Sequence, residues 1–112
     1  MITNKIKCTP VTFGGSTKEG KPYSNFKETI KSELKGHLTY DFNLKIKLFI
    51  HQTRVKPKQN DLDNFLKPII DSLDESNLID SETQIDSIYI KRIKVDDVID
   101  EGIIIEINPI QI

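Results

Sequence analysis

Phe42-Asn43-Leu44-Lys45-Ile46-Lys47-Leu48-Phe49-Ile50 alternates without a break: Phe42, Leu44, Ile46, Leu48 and Ile50 fall on one face, and Asn43, Lys45, Lys47 and Phe49 fall on the other. A period of two sustained over such a run defines a strand with one buried face. Further along the chain the period changes. Leu62, Phe65, Leu66, Ile69, Ile70 and Leu73 follow the i, i+3, i+4, i+7, i+8, i+11 rule, so residues 61–73 form an amphipathic helix. Pro68 removes the amide that would bond to the Asn64 carbonyl, which predicts a kink or a change of pitch there. Between strand and helix lies a polar stretch, residues 51–60, with Arg54, Lys56 and Lys58 around Pro57, which forms a basic loop.

Working outward, residues 2–13 form a first strand, and the turn-forming residues 14–25 form a loop. Ser24 or Asn25 then caps a helix that runs to about Leu34, with Phe26, Ile30 and Leu34 on one stripe and Gly36 placed to end it. On the far side, residues 74–83 are polar and acidic apart from Leu78 and Ile79, and form a loop with room for a short helical turn. Strands at 85–95 and 103–107 follow, separated by an acidic turn at 96–102, and both termini have the character of sheet edges. The order of elements lacks the strict strand–helix alternation of a doubly wound fold. It favours an α+β domain: a small mixed sheet with helices packed on one side.

The chain has 112 residues, 37% of them hydrophobic and 29% charged, which fits one domain spanning 1–112 with a modest core that a second subunit would help to stabilise. No run approaches the length of a membrane span, and residues 1–10 lack the apolar core of a signal peptide. The single cysteine, Cys8, excludes an intrachain disulfide and a multi-cysteine zinc site, and suits a reducing, cytoplasmic compartment. Net charge is −1, but residues 1–60 hold 12 Lys/Arg against 4 Asp/Glu, and residues 61–112 hold 4 against 13. A near-neutral total argues against coating nucleic acid by bulk charge, whereas a basic half folded beside an acidic half allows a basic rim around an acidic pocket.

The chemistry is concentrated in Asp61-Leu62-Asp63-Asn64-Phe65-Leu66-Lys67-Pro68-Ile69-Ile70-Asp71. On a helix Asp63, Lys67 and Asp71, four residues apart, line one exposed stripe, with Asp61 in the first turn. Two carboxylates mounted at a helix start suit a hard, oxygen-seeking cation such as Mg²⁺, and a neighbouring lysine suits a phosphate. The same residues also serve as helix caps and i,i+4 ion pairs with no chemistry at all, and spacing alone does not separate the two readings. His37 and His51 show no triad or metal spacing, and Gly14-Gly15 lacks the context of a phosphate loop. Tyr23, Tyr40 and Tyr89 are available either for base stacking or for ordinary surface roles.

Taken with Asp71-Ser72-Leu73 and the later Leu78-Ile79-Asp80-Ser81-Glu82-Thr83-Gln84-Ile85, this stretch resembles the signature of RusA-type Holliday junction resolvases: D-L-D-N, a lysine four residues after the second aspartate, then D-x-L, and after a short loop an acidic pair followed by x-Q-I. The resemblance implies a RusA-like fold and a magnesium-dependent endodeoxyribonuclease that resolves four-way DNA junctions in recombination and repair, with Mn²⁺ able to substitute. It implies a homodimer acting on branched DNA in the cytoplasm of a bacterium, encoded by the chromosome or by a phage or prophage. It makes Asp61, Asp63 and Glu82 the metal-binding catalytic carboxylates, with Asp80 the fallback for the third, Lys67 the catalytic lysine, and Asp71 the residue that orients it. Ser81-Glu82 stands where the family usually has two adjacent aspartates, and the N-terminal third departs from the family's proline- and arginine-rich opening. Arg54, Lys56, Lys58 and Lys67, with Lys91 and Arg92 as a second basic patch beside Lys94, are the candidate DNA contacts. Two other classes stand beside this one: a non-catalytic branched-DNA-binding accessory protein that keeps the fold, and a nucleotide-sugar transferase built on D-x-D, for which the chain is short.

Overall fold

The computed structural model describes residues 2–8, 10, 21–34, 43–53, 62–76, 78–79 and 82–110. Four strands and two helices follow one another as β1 (Ile2–Lys7), α1 (Lys21–Glu33), β2 (Asn43–Gln52), α2 (Leu66–Glu75), β3 (Ile85–Lys94) and β4 (Gly102–Ile110). The strands form one mixed sheet in the order β1-β4-β2-β3. β4 runs antiparallel to both β1 and β2, and β2 runs parallel to β3, so α2 lies in the crossover between the parallel pair. The α+β architecture expected from the sequence is the one observed.

β2 keeps its alternation through its whole length: Leu44, Ile46, Leu48 and Ile50 are completely buried. In register beside them on β4 stand Ile107, Ile105 and Ile103, also buried. Phe26 and Ile30 of α1, and Ile69 and Leu73 of α2 with the preceding Phe65, close over this floor in one continuous core. Both helices therefore cover the same face, because both carry an apolar stripe and the sheet offers its apolar row on that side. Their polar sides are clipped together by Lys27, whose Nζ lies 2.8 Å from Glu75 Oε2, and by Lys31 at 3.7 Å from Oε1. The Lys27 hydrogen bond, opposed by desolvation and joined by the charges of Lys27 and Lys31, holds the Glu75 carboxyl below the usual carboxylate range.

Several boundaries differ from the sequence expectation, each for a local reason. β1 ends at Lys7 because its partner there, Gly102, is the first residue of β4 and no further ladder exists; of the expected continuation to residue 13, residues 9 and 11–13 lie outside the described residues, as does Gly36. α1 starts at Lys21, ahead of Ser24 and Asn25, and Pro22 sits in its first turn, where a missing amide costs no helical bond. The expected helix at 61–73 is a 3₁₀ turn, Leu62–Phe65, that passes into α2 and runs on to Glu75. Pro68 is thus the third residue of the α-helix, and the change of pitch falls just ahead of it. Its carbonyl accepts the Ser72 hydroxyl at 2.6 Å.

Within the expected loop at 74–83, Leu78 and Ile79 are core residues, 3% and 1% exposed, and a 3₁₀ turn at Glu82–Gln84 supplies the short helical segment. The C-terminal strand is an interior strand, not an edge: the unbroken Ile103-Ile104-Ile105 run belongs to a strand paired on both sides. Pro109 fits there because β1 reaches only to Ile107, so no amide is demanded on that side.

β4 and β1 approach so closely at Gly102 that a Cβ there would sit 2.4 Å from the Ile6 carbonyl oxygen. No side chain fits without separating the strands. Gly102→Ala is expected to lower the unfolding free energy by about 1–3 kcal/mol through overpacking, read as a lower urea midpoint with an unchanged slope; an unchanged midpoint would show that the two backbones part freely.

Candidate active site

The acidic motif is mounted on the core by its apolar half. Phe65, Ile69 and Leu73, spaced by four, are fully buried, with Ile70 beside them and Leu62 and Leu66 packed on the margin. This anchoring leaves Asp63 exposed in the 3₁₀ turn, Asn64 half-buried, Lys67 exposed in the first turn of α2 and Asp71 half-buried one turn later. Lys67 Nζ lies 3.2 Å from Asp71 Oδ2, an i,i+4 pair. As a surface pair it stabilises the helix by only a few tenths of a kcal/mol; its effect is to bias the ammonium toward Asp71.

α2 begins without a side-chain cap, Phe65 occupying the cap position. Capping of α2 therefore does not account for Asp63. Its carboxylate has no hydrogen bond or ion pair among the described residues. Glu82 opens the 3₁₀ turn that leads into β3 and packs beside α2, so the chain returns to the neighbourhood of the helix at the residue expected to supply the third acid; this residue is described through its backbone. Asp61, Asp80, Arg54, Lys56 and Lys58 lie outside the described residues. Among the described residues no three His, Cys, Asp or Glu side chains gather as a metal site. A single exposed carboxylate oxygen donor at Asp63 is the donor type a hard divalent cation selects, and Glu82 adds a second of that type in the sequence.

Lys91 and Arg92, adjacent in sequence, do not form one patch. Strand alternation puts Lys91 on the face away from the helices, in register with Phe49, and Arg92 on the helix side, in register with Ile50. Arg92 Nε donates to Gln52 Oε1 at 3.1 Å. Gln52, buried to 5% exposure, was not singled out by any motif; the signal for it is that it continues the buried parity of β2 two residues past Ile50. Glu101 is a second such residue. Its Oε2 accepts from the Thr53 amide at 3.0 Å and from the Thr53 hydroxyl at 2.9 Å, tying the exit of β2 to the turn ahead of β4.

Cys8 is not a nucleophile here. Burial, reinforced by the charge of Glu101 and opposed by a hydrogen bond from the Ile103 backbone, pushes its thiol up to about 12. At neutral pH the thiolate is absent and the group is chemically quiet. Iodoacetamide labelling of the folded protein is expected to be negligible at pH 7–8, rising only as alkali approaches that value or denaturant exposes the thiol; rapid labelling of native protein at pH 7 would refute it.

The chain thus combines a mixed α+β sheet with a core-anchored Asp–Lys–Asp helix whose leading carboxylate is open to solvent, an arrangement suited to phosphoryl chemistry. The endodeoxyribonuclease RusA family model matches residues 8–108, nearly the whole chain, and the protein belongs to that family. No curated protein matches it. Among the described residues no helix is long and apolar enough to cross a membrane.

Proposed function

We propose that this protein is a Holliday junction resolvase, cutting phosphodiester bonds at four-way DNA junctions during recombination and repair. The observation that carries the reading is the exposed carboxylate of Asp63, engaged by none of the described residues and placed just ahead of a lysine paired with Asp71, inside a chain of the RusA family. Asp61, Asp63 and Glu82 would hold Mg²⁺, or Mn²⁺ in its place, with Asp80 as the alternative third ligand. When bound, the ion lowers the pKa of water and offsets charge on the phosphate. Lys67 contributes a fixed positive charge at the phosphate as negative charge develops, and Asp71 is a positioning residue that keeps the ammonium from swinging into solvent. Arg54, Lys56 and Lys58 would hold backbone phosphates that the acids alone repel. Arg92, turned to the helix side and bonded to Gln52, orders the edge of the sheet. A homodimer would present two such sites to two strands of a symmetric junction, in a bacterial or phage-infected cytoplasm.

A labelled synthetic four-way junction and a matched linear duplex, each incubated with Mg²⁺, Mn²⁺ or EDTA, test this directly. Paired nicks confined to the junction and dependent on metal are expected. Asp63→Asn should reduce cleavage by at least about 100-fold while junction affinity persists, and Asp71→Asn should lower kcat with little change in KM. Tight junction binding with no cleavage in either metal would instead identify the accessory protein, and indifference to branching would refute junction specificity.

A further inference from the structure

The two helices cover one face of the sheet, and none of the other described elements packs over the opposite face. Register and alternation place on that opposite face Lys5 and Lys7 of β1, Lys45, Lys47, Phe49 and His51 of β2, Ser87, Tyr89, Lys91 and Ile93 of β3, and Ile104 and Glu106 of β4. Its charge is unevenly spread. Lys5, Lys7 and His51 share a shallow hollow with Asp100 and Glu101 at the β1 end, so that corner is close to balanced. Lys45, Lys47 and Lys91 form a surplus on β2 and β3, with Glu106, opposite Lys47, the one carboxylate in register among them. None of the three lysines forms an ion pair among the described residues.

Two aromatic rings lie between these ammoniums. Phe49 and Tyr89 are 6.1 Å apart between centroids and tilted by 55°. Tyr89 is level with Lys47 and Phe49 is level with Lys91, so cation and ring alternate across neighbouring strands about 4.8 Å apart. Tyr89 remains 49% exposed, a large ring open to solvent on an edge strand. Lysines spaced about 7 Å apart along a strand, interleaved with a half-buried and an open ring, match a nucleic-acid backbone with its sugars and bases. A second copy of the chain docked face to face fits less well, since it would set these lysines against one another with, among the described residues in register, only the two Glu106 carboxylates between them.

We infer that the helix-free face of the sheet, centred on Lys45, Lys47, Tyr89 and Lys91, is a nucleic-acid contact surface separate from the acidic helix, taking the phosphate backbone of a DNA arm. This rests on the reading of the protein as one that acts on DNA, and it extends that reading to a face that carries none of the family motif. Such a surface adds affinity without chemistry, so its loss is expected in binding and in salt dependence.

The test measures junction binding by the full-length protein in EDTA across a salt series, for the native chain and for a Lys45→Gln, Lys47→Gln, Lys91→Gln triple variant, with thermal melts to establish that both are folded. The triple variant is expected to bind roughly tenfold or more weakly at low salt, with the slope of log K against log salt reduced by about 2 to 3. In parallel, amine acylation read by mass spectrometry should show the three lysines reactive in the DNA-free protein at every protein concentration and shielded once the junction is bound. Unchanged affinity and slope, or lysines that stay reactive in the complex, would overturn the inference. So would shielding that grows with protein concentration in the absence of DNA, which assigns the face to a second copy. Loss of cleavage alone, with these binding responses intact, sinks the resolvase reading and leaves the surface standing.

Discussion

Everything in this molecule is referred to the seam where the inner row of β2 meets the helices. Leu44, Ile46, Leu48 and Ile50 are sealed from solvent by β4 at one side and by Phe26, Ile30, Phe65, Ile69 and Leu73 above. Each such side chain contributes roughly 1.5–3 kcal/mol by leaving water, which outweighs any single ion pair on the surface by severalfold. The seam also fixes register. A one-residue slip of β2 would drive Lys45 and Lys47 into the core and expose the aliphatic row, so only one pairing with β4 and β3 is tolerable. Because Phe65, Ile69 and Leu73 belong to the same seam, the orientation of the acidic helix is set by core packing and not by the weak polar contacts on its outer side.

The folded sheet turns a lengthwise charge asymmetry into a facial one. The basic half of the chain supplies β1 and β2, whose lysines take the side away from the helices by strand parity. From the acidic half come the motif helix and the turn ahead of β4. Under the proposed function the carboxylates hold a metal, yet a carboxylate cluster repels the polyanion to be cut. Away from the β1 corner, where Asp100 and Glu101 face Lys5, Lys7 and His51, the motif helix and the lysines of β2 stand on opposite layers of one small sheet, which keeps their potentials from cancelling.

How much of this was legible in the sequence follows from the range of the interactions involved. The alternation of β2 and the heptad-like spacing of 61–73 are local properties, and both the elements and their buried residues follow from them. The place of β4 is not local. Its apolar Ile103–Ile107 segment reads equally well as an edge or an interior strand until its pairing with both β1 and β2 is known. Leu78 and Ile79 look like interruptions in a polar loop because two residues are too few to show a period, and only the tertiary structure reveals them as members of the core. On the site, the order of Asp63, Lys67 and Asp71 is plain in the sequence, whereas the separation of Lys91 from Arg92 emerges only from strand parity about a register the sequence does not specify.

The change of pitch ahead of Pro68 bears on chemistry as well as on geometry. In an unbroken α-helix Asp63 and Asp71 would both stand one turn from Lys67, at about 100° per residue, and would compete for its ammonium. The 3₁₀ turn at Leu62–Phe65 advances about 120° per residue and climbs about 2.0 Å rather than 1.5 Å, carrying Asp63 around the axis and away from the lysine. Lys67 accordingly pairs with Asp71 on the regular side of the break, at 3.2 Å, and Asp63 keeps a carboxylate that no described cation neutralises. A carboxylate paired with lysine is a poor ligand, because a metal must first displace the ammonium. By lying in the first turn of α2, where its ring is tolerated, Pro68 marks the point at which the helix starts afresh, and Asp63 ahead of that point keeps a carboxylate that no described cation pairs with, the donor the proposed divalent cation would select.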